Sequence, residues 1–233
     1  MKRYFNKIAR VLFAVSLTAF ISDGMFAQPR DRNFIKDEIR RHGECRNVAI
    51  TKNNGDVMLY GQNGWAANGC PESLTDALHE LNEDEKYIND VQLTENGNWL
   101  ILYGANGIQW DDIPYSLESK LREYNSNEEE ITSVAFNDDG DWAVVTTEHL
   151  SASDDELTDW LAEGLERHGK LWTVCITDDA IVAVYERGYK YSGNVPESLK
   201  TALKSTDIDV YRLKIAGTSW FFSDGKSTYR YNM

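Results

Sequence analysis

Cysteine, histidine and proline are scarce in this chain, and each scarcity excludes something. Three cysteines, Cys45, Cys70 and Cys175, at irregular spacing rule out a disulfide framework or a structural zinc site. One bond, Cys45 to Cys70, stays open. Cys175 lies in an apolar strand pattern, where a free thiol behaves as a small hydrophobe. Positive charge is also short: 24 Lys and Arg stand against 38 Asp and Glu, for a formal net charge of −14. No basic cluster follows the first few residues, so nucleic acid is a poor partner. Strong acidity argues for solubility and says nothing of fold. The sequence holds no Gly-x-Ser-x-Gly, His-Glu-x-x-His, phosphate loop or dinucleotide fingerprint, so no cofactor and no metal is expected.

Long hydrophobic runs are absent as well. Val11 to Ile21 gives only about 11 apolar-rich residues, roughly half of what a membrane-spanning helix needs. Lys2, Arg3, Lys7 and Arg10 precede that run and the small Ala27 follows it, the three parts of a secretory signal. Residues 1–27 are therefore expected to be removed, leaving 28–233 as a single repeat domain with no membrane span, secreted or periplasmic. A retained anchor is the rival, and it lacks the length. No cysteine follows the run to take a lipid.

What the chain does have is repetition, about five copies of a pattern of roughly 40 residues. A first strand reads Val48-Ala49-Ile50, Val91-Gln92-Leu93, Val134-Ala135-Phe136, Val174-Cys175-Ile176 and Leu213-Lys214-Ile215. Apolar residues two apart mark a half-buried strand. Polar turns such as Glu95-Asn96-Gly97-Asn98 and Asp138-Asp139-Gly140-Asp141 follow, with the Asn-Gly and Asp-Gly chemistry of two-residue hairpins. The acidic third turn lacks the Asp spacing and distal Glu of a calcium loop. A more apolar second strand comes next, as in Trp99-Leu100-Ile101-Leu102-Tyr103, and reads as the covered middle strand. After a second glycine turn, a short third strand carries Trp65, Trp110, Tyr189 with Tyr191, and Tyr229 with Tyr231. The third copy departs, with Thr147-Glu148-His149 in place of the glycine.

A helix opens each unit. Pro71, Pro114 and Pro196 stand at or near the first helical position, where a missing N–H costs nothing, and Ser153 with Glu156 reads as a capping box in the remaining internal copy. Leucines continue at helical spacing, as in Leu74, Leu78 and Leu81. The expected fold is an α+β tandem repeat of helix-plus-three-strand units, near 31–70, 71–113, 114–152, 153–195 and 196–233. One such unit cannot bury its own apolar face. Closure into a propeller-like ring is favoured over an open curved stack, because the last copy is as apolar as the others and closure removes edges.

Little in the sequence points to catalysis. His42 and His168 each precede a glycine that should end a helix, a structural place. His79 reads as a solvated helix residue. His149 is the odd one, sitting where the repeat breaks. The expected function is an exported, non-catalytic binding or interaction protein for an extracytoplasmic saccharide or protein, with Trp65, Trp110, Tyr189 and Tyr191 as ring platforms for sugar. A secreted hydrolase with a loop-built site, or an inhibitor meeting a basic partner through acidic loops, are the alternatives. Mass spectrometry of the exported protein should find a new terminus at Gln28; intact Met1 on membrane-bound material would refute the leader assignment.

Overall fold

The repeat pattern is carried into structure unit by unit. The computed structural model describes residues 33–53 and 55–233; the expected signal lies outside the described residues. Five helices and five three-stranded antiparallel sheets occur there. Unit 1 is α1 (Asn33–His42), β1 (Asn47–Ile50), β2 (Asp56–Tyr60) and β3 (Gly64–Asn68); unit 2 is α2 (Glu72–Glu83), β4 (Ile88–Leu93), β5 (Trp99–Tyr103) and β6 (Gly107–Asp111). Unit 3 comprises α3 (Tyr115–Ser126), β7 (Ile131–Phe136), β8 (Trp142–Thr146) and β9 (Leu150–Ala152). Units 4 and 5 are α4 (Asp155–His168) with β10 (Leu171–Ile176), β11 (Ala180–Tyr185) and β12 (Gly188–Gly193), then α5 (Glu197–Ser205) with β13 (Arg212–Ala216), β14 (Ser219–Ser223) and β15 (Tyr229–Asn232).

The most apolar strand is the central one of every sheet, as its composition requires. Local details depart from the expected turn and cap chemistry. Pro71, Pro114 and Pro196 stand one place outside their helices, at extended ψ angles of 144°, 133° and 132°, and offer no side-chain cap. In α4 the cap is Asp154, which accepts from the Leu157 N–H at 2.8 Å, so the expected box beginning at Ser153 is displaced by one residue. A carboxylate one position nearer the helix wins over the serine. The first hairpins are also longer than two residues: Leu93 pairs with Trp99, and Phe136 with Trp142. Gly97 and Gly140 take the positive φ those loops need, at 91° and 94°. The tight two-residue form occurs in unit 4, where the Thr177 N–H donates to the Ala180 carbonyl at 2.9 Å across Asp178-Asp179, and in unit 5, where Ala216 pairs with Ser219.

No sheet has a core to itself. Leu74, Leu78 and Leu81 of α2 pack with Val57 and Leu59 of sheet 1 on one side and Val91 and Ile101 of sheet 2 on the other. The same arrangement recurs for α3 between sheets 2 and 3, α4 between sheets 3 and 4, and α5 between sheets 4 and 5. Ile35 and Ile39 of α1 pack with Val48 and Met58 of sheet 1 and with Ala216 and Phe221 of sheet 5. The first strands lie against one another in chain order, and β13 lies against β1 as well.

One polar contact fastens helix to sheet in three units. The indole N–H groups of Trp99, Trp142 and Trp220 donate to the hydroxyls of Ser73, Ser116 and Ser198 at 3.0, 2.9 and 2.9 Å. These tryptophans are 5%, 4% and 5% exposed, so each buried N–H requires that partner. Where the middle strand starts without Trp, at Asp56 and Ile181, the helix carries Phe34 and Glu156 in place of the serine. Donor and acceptor appear and vanish together. Replacing Trp142 by Ala should cost about 3–5 kcal/mol through the cavity it leaves, and Ser116→Ala about 1–3 kcal/mol by orphaning the indole N–H. Chemical denaturation checks both, and the double variant should cost less than their sum because the two share one bond.

Cys45 and Cys70 are not joined by a disulfide. Cys45 packs in the seam of α1 with sheets 1 and 5, whereas Cys70 packs in that of α2 with sheets 1 and 2, on the other side of sheet 1. Burial raises the Cys45 thiol to about 12 and the Cys175 thiol to about 11, which keeps both protonated and unreactive.

Candidate functional site

Irregularity in a repeat is informative when it falls at the same place in several copies. The register slips between Ile88 and Asp90, between Ile131 and Ser133, and between Leu171 and Thr173, at the start of the first strand in units 2, 3 and 4. Bulges of this kind re-aim side chains and interrupt pairing. The skipped residues are Asn89, Thr132 and Trp172, and the corresponding places in units 1 and 5 are held by Arg46 and Tyr211. Five copies of one position therefore carry five different polar or aromatic residues.

An open recess of about 340 Å³ lies at this end of the first strands. Asn89, Thr132, Trp172 and Tyr211 line it together with Tyr87 and Arg212. Trp172 and Tyr211 pack ring against ring at 4.9 Å, and Tyr87 and Tyr211 remain 37% and 39% exposed. Arg212 is held by backbone carbonyls: its Nε donates to Asn89 and its Nη1 to Thr132 and Tyr211, at 3.2, 3.3 and 2.8 Å. Two of those acceptors are carbonyls of the bulge residues. Arg46 stands beside the recess, its guanidinium 4.3 Å from the centre of the Tyr87 ring and its Nη1 donating to the Ile88 carbonyl at 3.0 Å. It is 4% exposed, and its Nε and Nη2 are buried without a hydrogen-bond partner. Burial lowers the Arg46 guanidinium below its ordinary range, Tyr87 opposes that shift, and the nearby charge of Arg212 adds to it. Glu130 contributes an acid to the rim, while the Asp224 carboxylate is engaged by the N–H groups of Lys226, Ser227 and Thr228 in its own turn.

Farther along the first strands the interior is polar and satisfied. Asp90 accepts from Asn47 at 2.6 Å, Gln92 at 2.7 Å and the Lys214 ammonium at 2.8 Å, so units 1, 2 and 5 meet on one carboxylate. Ser133 and Thr173 bond at 3.2 Å. A small recess of about 50 Å³, lined by residues of all five first strands including Gln92, Cys175 and Lys214, continues from there toward the opposite end. That end is acidic. Glu95 accepts from the Asn53 N–H at 3.1 Å, Asp138 from the Asn96 N–H at 3.0 Å, and Lys52 reaches Asp179 at 3.1 Å. Burial raises Asp178, with Asp138 and Asp139 adding to the shift.

The third-strand aromatics are placed one unit at a time. Trp65, Trp110 and Tyr189 are half-buried, each packed on the core of its own seam, and Tyr191 is 44% exposed. Tyr189 and Tyr191 stack at 6.0 Å; Arg122 lies 4.9 Å over Trp110 and Lys200 4.5 Å over Tyr191. Among the described residues no ring contact joins Trp65 to Trp110 or either to the tyrosines. Two surface recesses flank Trp110. The residues at the bulge position escaped sequence reasoning although a signal existed: aligned copies show Arg46, Asn89, Thr132, Trp172 and Tyr211 in register, just before the regular pattern begins.

The histidines hold structural positions. Gly43 and Gly169 take positive φ at 74° and 82° after His42 and His168, and those imidazoles lie against Tyr60 and Tyr185 at 3.6 and 5.8 Å. In unit 3 the Thr146 hydroxyl accepts from the His149 N–H at 2.7 Å, replacing the glycine turn, and Tyr124 from α3 stacks on His149 at 6.1 Å. His149 Nδ1 lies 2.8 Å from Glu129 Oε2. The carboxylate raises the imidazole above its ordinary range and is itself lowered by that hydrogen bond. The imidazole's contribution to stability is thus full at low pH and is lost as pH rises through its folded pKa; that of Glu129 is lost as pH falls through its own. Proton NMR titration should find His149 ionising above the ordinary imidazole range in the wild type and within it in Glu129→Gln. The difference in melting temperature between the two should be greatest between the ordinary carboxylate and imidazole ranges and shrink as pH rises through the folded imidazole pKa.

No family model matches the chain, and no curated protein matches it. Among solved structures, the extracellular domain of a putative one-component system from B. thetaiotaomicron is similar at 14% identity, covering 81% of this chain with a TM-score of 0.34. The chain spans 35% of the length of that structure. A likeness this weak carries no argument here. No helix among the described residues is long and apolar enough to cross a membrane.

Proposed function

We propose that this chain is an exported, non-catalytic binding module in the secreted or periplasmic space, that its five units close into a propeller-like ring, and that its ligand enters the recess at the start of the first strands. Support for the ring comes from α1, which lies between the last sheet and the first as each other helix lies between neighbours. The observation that carries the binding site is the bulge position. Its backbone bulge repeats in units 2, 3 and 4 while the side chain at that position differs in all five copies, the pattern expected where a scaffold is reused and a surface is particular. At about 340 Å³ the recess has room for a small ligand or the end of a larger one. Trp172 and Tyr211 offer flat faces, and Asn89 and Arg212 offer polar direction, a combination suited to a saccharide.

The outer-strand platform of Trp65, Trp110, Tyr189 and Tyr191 is the second proposal, favoured by the two recesses beside Trp110. A glycan array separates the two. Wild-type protein should bind, a Trp172→Ala/Tyr211→Ala variant of checked melting temperature should lose at least about tenfold in affinity, and Trp65→Ala/Trp110→Ala should retain binding. The reverse pattern would move the site to the outer strands. Release of new reducing ends from bound glycans would replace a binding role by the hydrolase alternative.

A further inference from the structure

Two arginines withdrawn from solvent without counter-charges are out of keeping with so acidic a chain. Arg40, Arg41, Arg122, Arg167 and Arg230 each pair with a carboxylate, all on the surface. Arg187 has no such partner among the described residues but is exposed to water, whereas Arg46 is buried and Arg212 half-buried, and these two pair with no carboxylate there although carboxylates outnumber bases overall. Their partners are backbone carbonyls and an aromatic ring. Carbonyl oxygens orient a guanidinium without neutralising it. Leaving buried N–H groups of a charged side chain unpaired costs free energy, more than for a neutral group. Arg46 has two such nitrogens. Of the nearby acids, Glu130 lines the recess without pairing with either arginine, Asp224 is engaged by its own turn and Asp90 is occupied by Lys214, while Glu95, Asp138, Asp178 and Asp179 lie at the far end of the first strands. At the recess end Arg46, Arg212 and Lys226 formally outnumber Glu130 and Asp224.

Resting on the proposal that the recess is the binding site, we infer that its ligand is an acidic saccharide, whose carboxylate or sulfate is taken by Arg212, with Arg46 adding positive potential from behind Tyr87, while a sugar face stacks on Trp172 and Tyr211. Arg212 lines the recess, and its hydrogen bonds among the described residues engage Nε and Nη1, which leaves Nη2 as a donor for an oxyanion. The two carbonyls from the bulged strands hold that donor in place before a ligand arrives, which spares the ordering cost of a free arginine. Glu130 on the rim tells against long anionic chains crossing that side.

Calorimetric titration of the exported protein with trigalacturonate, with its fully methyl-esterified form, and with a sulfated disaccharide tests this. Esterification removes charge and keeps the ring. The acid should bind at least about tenfold more tightly than the ester, the preference should shrink with rising salt, and Arg212→Gln should abolish it while Trp172→Ala weakens both forms. Arg212→Lys, which keeps the charge, should retain part of the preference; with the wild-type salt series it guards against an Arg212→Gln variant that fails to fold. Binding of the sulfated sugar with the same Arg212 dependence would assign the site to oxyanions generally, and binding of trigalacturonate alone to carboxylates. Equal binding of acid and ester, or a preference undiminished in a folded Arg212→Gln, would overturn the anion while leaving the recess. No binding of any charged or neutral sugar, or binding indifferent to Trp172→Ala, would overturn both.

Discussion

Every unit of this protein is half of two cores. The leucine stripe of a helix such as α2 is covered on one side by its own sheet and on the other by the sheet before it, so no unit satisfies its apolar surface alone. This one constraint sets the rest. It dictates that the middle strand be apolar on both faces, that the third strand lie half-exposed at the outside, and that the first strands converge. Because α1 takes its second cover from sheet 5, the chain's last apolar residues are as necessary to its first helix as its own strands are.

Where the first strands meet, polar residues replace apolar ones, and the chemistry becomes specific to this chain. Asp90, drawing hydrogen bonds from Asn47, Gln92 and Lys214, ties unit 2 to units 1 and 5. A buried ion pair of this kind adds little net stability but penalises misassembly, since losing either partner strands a charge. Beyond it the two ends differ in sign. Acidic turns link neighbouring units at one end through backbone N–H groups, and arginines held by carbonyls stand at the other. The proposed ligand site is the end where Arg46 and Arg212 have no carboxylate partner among the described residues.

The tryptophan clamp shows how near the sequence came to disclosing its own packing. Pro71-Glu72-Ser73 and Pro196-Glu197-Ser198 are legible as helix starts, and Trp99 and Trp220 as buried strand openings, but their bond is not. Matching the copies that lack Trp with those that lack Ser would have paired them. Capping was misplaced at Ser153 because Asp154 competes for the same N–H groups, and pattern alone does not rank two adjacent acceptors. Unit 3 lacks the glycine turn and yet keeps its three strands, with the Thr146 hydroxyl accepting the His149 N–H and Tyr124 stacking on His149.

Periodicity, glycine turns and leucine spacing determined the elements, their order and the repeat, since these are local properties of the backbone and of one amphipathic face. Only the tertiary structure decided which seam each helix fills, that Cys45 and Cys70 lie on opposite sides of sheet 1, and that Tyr87, Trp172, Tyr211 and Arg212, separated widely along the chain, border one recess. A residue's neighbours across units depend on how far each sheet turns relative to the last. That angle is set by the packing of whole helices between sheets, and no short stretch of sequence encodes it.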